Sequence, residues 1–326
     1  MEGEMVKREG IAFEAIPAAG LHGVGLRTLP GNLLRLLRGY ANAARILKQF
    51  KPDLLLFTGG YVAVPMALAG VKTPSLLYVP DIEPGLALRA IARFADAIAV
   101  TTEDSKAYFP RARRIQVTGY PTRAGLTRWD RAKGREFFGI QPDARVLLVF
   151  GGSKGAHSIN QAVMQLLPSL PHAIHVIHIS GQADFSDLQN WQASMPVDQQ
   201  KRYHLLPYLH EMGAALAAAD LVVSRAGASI LGEYPLFGLP SILVPYPYAW
   251  RYQKTNADYL VRHGAARIVE NSALTTDLLP AVTALFSDEK QLAAMRQAAL
   301  KLARPQAARD IADLAVAVAA AERRTA

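Results

Sequence analysis

The sequence predicts an α/β protein made of two doubly wound, parallel-sheet domains in series. Three observations predict it. Apolar runs of strand length alternate with longer segments of helical period along nearly the whole chain, the pattern of parallel strands joined by crossover helices. The chain has 326 residues, which at roughly 100 to 200 residues per domain makes two domains. Several apolar runs end in glycine-rich turns before the next helical segment, where ligands of such sheets bind.

In the first half, strands are expected at Ile11 to Ile16, Leu54 to Thr58, Ser75 to Val79, Ala97 to Thr101 and Ile115 to Thr118. Helical periods run from Leu33 to Phe50 and from Leu86 to Phe94. The turn-rich Gly119-Tyr120-Pro121-Thr122-Arg123 and the charged segment after it put the domain boundary near Arg123. The first domain is therefore residues 1–123 and the second 124–307. The alanine-rich C-terminal helix, about 308–326, folds back on the first. The second half begins with Arg145 to Phe150 and continues with strands at His175 to Ser180, Leu221 to Ser224 and Ser241 to Val244.

Leu54 to Val71 has no charged side chain and meets the crude length for a membrane span of about 18 residues. Gly59-Gly60 and Pro65 divide it into strand, loop and helix instead. The opening Met1-Glu2-Gly3-Glu4-Met5 lacks the basic, apolar, small-residue order of a signal peptide. Without cysteine there is no disulfide, thiolate nucleophile or cysteine-ligated metal. The +9 charge admits nucleic acid, an anionic membrane or an anionic small molecule. Nucleic acid is disfavoured, because the basic residues are dispersed and carry no binding motif. His172, His175 and His178 invite a metal reading, but strand residues three apart face opposite sides. A structural role is expected for them.

Three segments carry candidate chemistry. In Val149-Phe150-Gly151-Gly152-Ser153-Lys154-Gly155-Ala156, glycines between strand and helix let backbone amides approach a phosphate, although tight turns need glycine on steric grounds alone. Ser224-Arg225-Ala226-Gly227-Ala228-Ser229 follows a second strand, with Glu233 about one helical turn on. That carboxylate suits the two hydroxyls of a ribose, or simply the positive end of its helix. After Pro245-Tyr246-Pro247-Tyr248, Gln253 and Asn256 share a helix face suited to sugar hydroxyls, a spacing also common on surfaces.

The order of these three segments, with Thr58-Gly59-Gly60-Tyr61-Val62 upstream and Gly264-Ala265-Ala266 downstream, closely resembles the MurG family of peptidoglycan glycosyltransferases. The resemblance runs over essentially the whole chain. It implies a GT-B fold and transfer of N-acetylglucosamine from its UDP conjugate to the undecaprenyl-diphosphate-linked muramoyl-pentapeptide, with no metal and no cofactor. Ser153 would then meet the donor diphosphate, as would Ala228, Ser229 and Ile230 at their helix start. Glu233 would hold the ribose, the backbone of Leu209 would read the uracil, Gln253 and Asn256 would contact sugar and phosphates, and Arg123 matches a family arginine. Leu34, Leu37 and Tyr40, beside Arg35 and Arg38, match the family's membrane-facing patch, although leucines at helical spacing usually pack into a core. The implied location is peripheral, on the cytoplasmic face of the plasma membrane.

Two departures stand out. Where many members carry His-Glu-Gln-Asn, this chain has Tyr78-Val79-Pro80-Asp81, which puts Asp81 in place of an asparagine that helps recognise the sugar. The family opens with a strand, a Gly-Gly-Thr-Gly-Gly-His loop and a helix, whose histidine is a favoured base, and no counterpart follows Met1. The first domain is thus expected to be incomplete, from a truncated record or a misplaced start, and no base is assigned. A non-catalytic UDP-sugar-binding fragment, and a related GT-B transferase or epimerase, are the alternatives.

Overall fold

A computed structural model describes residues 3, 6, 7, 10–18, 29–60, 62–152, 155–248 and 252–323. The chain forms two compact units: Met1–Pro80 with Pro84–Thr118 and Arg309–Ala326, and Asp81–Glu83 with Gly119–Ala308. The division falls at Thr118 rather than after Arg123, so Tyr120 and Arg123 belong to the second unit. Asp81 joins them there, although it follows a strand of the first.

The first unit holds four parallel strands in chain order, β1 (Leu55–Phe57), β2 (Ser75–Val79), β3 (Ala97–Val100) and β4 (Ile115–Val117). Its helices are α1 (Leu29–Phe50), α2 (Ala63–Ala69) and α3 (Leu86–Ile91). The two-residue period of a strand divides the core. Leu77, Val79, Ile98 and Val100 pack with Ala67, Leu88 and Ile91 on one face. Leu76, Tyr78, Ala97 and Ala99 meet Ile311, Leu314 and Val318 of the C-terminal helix on the other. Leu54 to Val71 is β1, a turn and the seven-residue α2. Among the described residues no helix is long and apolar enough to cross a membrane.

Ile11 to Ile16 form no strand, against expectation. Ile11 and Ile16 line a cavity of about 830 Å³ with Leu54 to Phe57 and with Ile46, Leu47 and Phe50 of α1. A parallel strand exists only through its ladder, and this segment lies along the cavity wall without one. The core expectation for α1 also fails at Leu34, Leu37 and Tyr40, which are 49%, 60% and 47% exposed. Further along α1, Ala43 is fully buried.

The second unit contains β5 (Arg145–Phe150), β6 (Ile174–Ile179), β7 (Tyr203–Leu206), β8 (Leu221–Ser224), β9 (Ser241–Leu243) and β10 (Ala266–Ile268). They form one parallel sheet in the order β10-β9-β8-β5-β6-β7. Its helices are α4 (Arg131–Phe137), α5 (His157–Leu166), α6 (Phe185–Ala193), α7 (Val197–Arg202), α8 (Met212–Ala218), α9 (Ile230–Phe237), α10 (Tyr252–Arg262), α11 (Leu274–Ser287) and α12 (Glu289–Lys301). The last helix, α13, spans Ala307–Arg323. The central strands are buried on both faces, as parallel sheets require: Val146 to Leu148 and Leu221 to Val223 are fully buried. At the amino end of β8, Asp220 accepts from Arg135, Arg131 and the amide of Val146. This pins α4 to the sheet far along the strands from their carboxyl ends.

Candidate functional site

In the second unit the strand order reverses between β5 and β8, which are neighbours at the centre. The two following loops diverge at such a switch point and leave a crevice above the carboxyl ends of the strands. Residues 151–156 lead from β5 into α5, and residues 225–229 lead from β8 into α9. Neither helix receives a hydrogen bond from its N-cap side chain: Ala156 has no polar atom to give, and Ser229 does not cap. The first amides of a helix have no partner inside it. At α9 the turn uses the amides of Ile230, Leu231, Gly232 and Glu233 against carbonyls of Gly227, Ala228 and Ser229. The residues before them, Gly227, Ala228 and Ser229, are partly exposed. Two helix N-termini without side-chain caps thus follow adjacent parallel strands at the switch point, which is chemistry for an anion such as a diphosphate.

Glycine is required where these loops touch their neighbours. Gly155 has φ +76°, and a Cβ on it would stand 2.2 Å from the carbonyl of Ser180. A Cβ on Gly232 would stand 2.9 Å from the backbone oxygen of Tyr120, so only glycine lets the 119–123 turn lie on α9.

Glu233 occupies the first turn of α9. Burial pushes its carboxyl above the usual range, against the pull of the Arg123 charge and a hydrogen bond from Ser229. Tyr120 is raised too, by burial and by the negative charges of Glu233 and Asp81, with Arg123 opposing. Arg123, Tyr120, Glu233 and Asp81 therefore share one locality. Ala228 and Ser229 are partly exposed, whereas Ile230 is 2% exposed and its amide donates to the Gly227 carbonyl. Leu209, largely buried, lies in the loop beyond the carboxyl end of β7. Ser153 lies outside the described residues.

Gln253 and Asn256 do something their sequence did not suggest. Gln253 Oε1 accepts from the amides of Ala226, at 3.3 Å, and Tyr246, at 2.9 Å. Asn256 is fully buried; its Nδ2 donates to Asp81 Oδ1 at 2.8 Å and to the carbonyl of Ala226 at 3.2 Å, and its Oδ1 accepts from the amide of Ile82 at 3.2 Å. The two amides on one face of α10 clasp the loops around them, and both N–H groups of Asn256 and one acceptance at its Oδ1 are taken by protein.

Two further groups were not legible in the sequence. Arg225 donates to the carbonyl of Val244 and to Ser158 Oγ, and its guanidinium lies 5.2 Å from the Tyr246 ring centroid. It ties together the loops after β8 and β9 and the first turn of α5. Beneath the β5 loop, Asn160 Nδ2 donates to the Ser180 carbonyl and to Asp184. Its Oδ1 must then accept from His178 Nε2, 2.9 Å away, which leaves Nδ1 to accept from the Tyr203 hydroxyl at 2.7 Å. Burial drives His178 down to about 3, so it is a neutral brace. His175 stacks on His204 and His172 pairs with Asp198. Each of the three histidines thus has its own surroundings.

Residues 146–314 match the glycosyltransferase family 28 C-terminal domain, and residues 1–100 match its N-terminal domain. The chain belongs to glycosyltransferase family 28. A family 28 relative from Roseiflexus sp. (strain RS-1), a UDP-N-acetylglucosamine--N-acetylmuramyl-(pentapeptide) pyrophosphoryl-undecaprenol N-acetylglucosamine transferase, is 42% identical; the match covers 96% of this chain and 80% of the relative. A protein of the same name from Desulforudis audaxviator is 39% identical over 96% of this chain and 86% of its own length. The crystal structure of Acinetobacter baumannii MurG matches with a TM-score of 0.76 and 27% identity, covering 97% of this chain and 88% of that one. The Neisseria meningitidis UDP-GlcNAc 2-epimerase bound to UDP-GlcNAc shares the fold, with a TM-score of 0.67 at 15% identity over 96% of this chain and 87% of that one. Within family 28, then, the fold is GT-B-like, with two Rossmann-like units, and the chain is a glycosyltransferase.

Proposed function

We propose that this chain transfers N-acetylglucosamine from UDP-N-acetylglucosamine to the undecaprenyl-diphosphate-linked muramoyl-pentapeptide, the step that completes the disaccharide of the peptidoglycan precursor. The observation that carries the reading is the pair of helix N-termini without side-chain caps at the switch point of the second sheet, beside Glu233. The names of relatives at 42% and 39% identity support the same substrates. In this reading Ser153 and the amides at Ala228 and Ser229, at the start of the helix that Ile230 opens, hold the diphosphate. Glu233 takes the ribose hydroxyls, the backbone at Leu209 takes the uracil, and Arg123 balances the charge of Glu233. Gln253 and Asn256 act by shaping the 225–229 loop and by fixing Asp81.

The acceptor is lipid-linked, and α1 offers a surface for that lipid. Leu34, Leu37 and Tyr40 project from it into solvent between exposed Arg35 and Arg38. An apolar stripe flanked by arginine suits the interface of an anionic bilayer, which supports a peripheral location on the inner face of the plasma membrane.

The test measures UDP binding by calorimetry and transfer of labelled N-acetylglucosamine to a lipid-linked acceptor analogue. UDP binding with transfer is the expected result. Glu233→Ala is expected to weaken UDP about 10- to 100-fold, the worth of hydrogen bonds to a charged group at ~1.5–3 kcal/mol. UDP binding without transfer would identify a binding module, and an unchanged affinity in Glu233→Ala would remove the ribose assignment.

A further inference from the structure

Arg225 is a charge that the protein itself leaves unbalanced. Its guanidinium donates to the Val244 carbonyl at 3.1 Å and to Ser158 Oγ at 2.8 Å, and lies 5.2 Å from the Tyr246 ring centroid. Ser158 Oγ is purely an acceptor toward Arg225, because its own proton goes to Asn271 Oδ1 at 2.7 Å. Among the described residues no carboxylate pairs with Arg225; the titratable group whose charge acts on it is Tyr246, a phenol. Burial pulls the guanidinium below its ordinary value, with only that phenol opposing. Other guanidiniums drawn into this unit are balanced. Arg135 pairs with Asp220, and Arg202 turns its donors to the carbonyls of Leu167, Leu170, Pro171 and Ile174.

The position of Arg225 makes its imbalance costly. Ser158 stands in the first turn of α5, and Arg225 itself opens the loop into α9. A cation beside helix N-termini has the wrong sign for their dipoles, and a charge held partly out of water needs a counter-charge. Asp184 is the carboxylate near the start of α5, but His157 and Asn160 engage its two oxygens. An anion resting on the first amides of α5 supplies what is missing. The Ser158 amide is within about 4 Å of its own Oγ, and an oxygen bound to it is about 3 Å further, so such an anion is at most about 10 Å from the guanidinium. At an effective dielectric of about 20, attraction over that separation changes affinity roughly tenfold or more for each unit of charge.

We propose that Arg225 supplies the positive charge that holds the donor's diphosphate at the starts of α5 and α9, a role that rests on the transferase reading above. It acts through space, whether or not a phosphate oxygen touches it. The bonds to Val244 and Ser158 fix the guanidinium beforehand, so no reorganisation is needed when the ligand arrives. As the bond from the anomeric carbon to the diphosphate breaks, its electron pair leaves with UDP, and the same charge steadies the oxygen that receives it. This differs from a purely mechanical clasp of the three loops. A clasp affects every ligand of the crevice alike, whereas a charge acts on the phosphates.

The test separates the two by ligand. Uridine, UMP and UDP are titrated into the full chain by displacement of a fluorescent UDP conjugate, at low and high salt, for wild type, Arg225→Gln and Arg225→Lys. Arg225→Gln keeps a hydrogen-bonding amide and removes the charge; Arg225→Lys keeps the charge and removes the planar fork. In Arg225→Gln, UDP affinity is expected to fall at least tenfold, uridine affinity to stay within threefold of wild type, and the salt dependence of UDP binding to flatten. Arg225→Lys is expected to hold UDP within fivefold of wild type. Equal losses on uridine and UDP in Arg225→Gln, or an unchanged UDP affinity, overturn the proposal while leaving the transferase reading intact. Circular dichroism reports whether each variant folds. Should Arg225→Gln not fold, Arg225→Lys decides: a folded protein that loses tenfold or more on UDP and uridine alike overturns the proposal. A wild-type chain that binds UDP no more tightly than uridine overturns this proposal and the diphosphate site together.

Discussion

Burial acts on single side chains of the second unit in two directions. It raises Glu233 and Asp81, which stand near Arg123 and Asn256, and it lowers His178, which has no charged hydrogen-bond partner. The histidine has a consequence for stability. Its folded value of about 3 lies below the ordinary 6.5, so between those limits the unfolded chain binds more protons than the folded one. Stability from this site is complete above about pH 6.5 and is lost as pH falls toward 3, by roughly 1.4 kcal/mol for each unit in that interval. Urea midpoints measured from pH 7 to 4 are expected to fall accordingly. His178→Gln keeps a donor for Asn160 and has nothing to titrate. It is expected to be less stable at pH 7 by about 1–3 kcal/mol, because the Tyr203 hydroxyl loses its acceptor, and to show a shallower pH slope. A variant with the wild-type slope would show that other groups carry it.

The site elements are strand ends, short loops and helix starts, and their precision comes from close backbone contact. The β5 loop leans on the Ser180 carbonyl at Gly155, and that carbonyl is also held by Asn160. Gly155→Ala combines a left-handed backbone with a methyl group at 2.2 Å from an immobile oxygen, so the loop has to move. The expected result is a loss of about 1–3 kcal/mol in stability together with at least a tenfold fall in UDP affinity. Melting temperature and calorimetry check it; weakened stability with unchanged UDP affinity would detach the loop from binding. The same scale explains what sequence reading found and missed. The glycines, Glu233 and the pair Gln253 and Asn256 were visible, because small residues, an acid and amides at set spacing stand out against strand ends. The clasp by Arg225 and the brace from Tyr203 through His178 to Asn160 were not, because hydrogen bonds between residues 18 to 67 positions apart leave no local pattern. The edge strands β7 and β10 escaped for a related reason. His204 interrupts β7 and Arg267 interrupts β10, so neither reads as an apolar run, and their neighbours in the sheet select them.

For the whole molecule, charge and the exposed face of α1 act together. The chain carries 36 basic and 27 acidic residues, and an anionic bilayer attracts such a molecule over about one Debye length. Binding to vesicles containing an acidic phospholipid is expected, weakening as salt rises. Arg35→Gln with Arg38→Gln is expected to lower the partition about 30-fold, from ~1 kcal/mol per basic residue at the surface. Sedimentation with neutral and acidic vesicles checks both arms, and equal binding to the two would leave the arginines without this role.

The sequence by itself determined the class of the protein: parallel sheets in two units, the glycine-rich turns at their strand ends, and a motif order shared with a glycosyltransferase family. These follow from periodicity and from residue types that backbone geometry demands, which are local properties. Only the tertiary structure decided that Ile11 to Ile16 line a cavity instead of forming a strand, that Leu34, Leu37 and Tyr40 face solvent, and that Asp81 belongs with Asn256 in the second unit. Each of these depends on which distant surface a segment meets, and hydrophobicity counted along a chain carries no record of that partner.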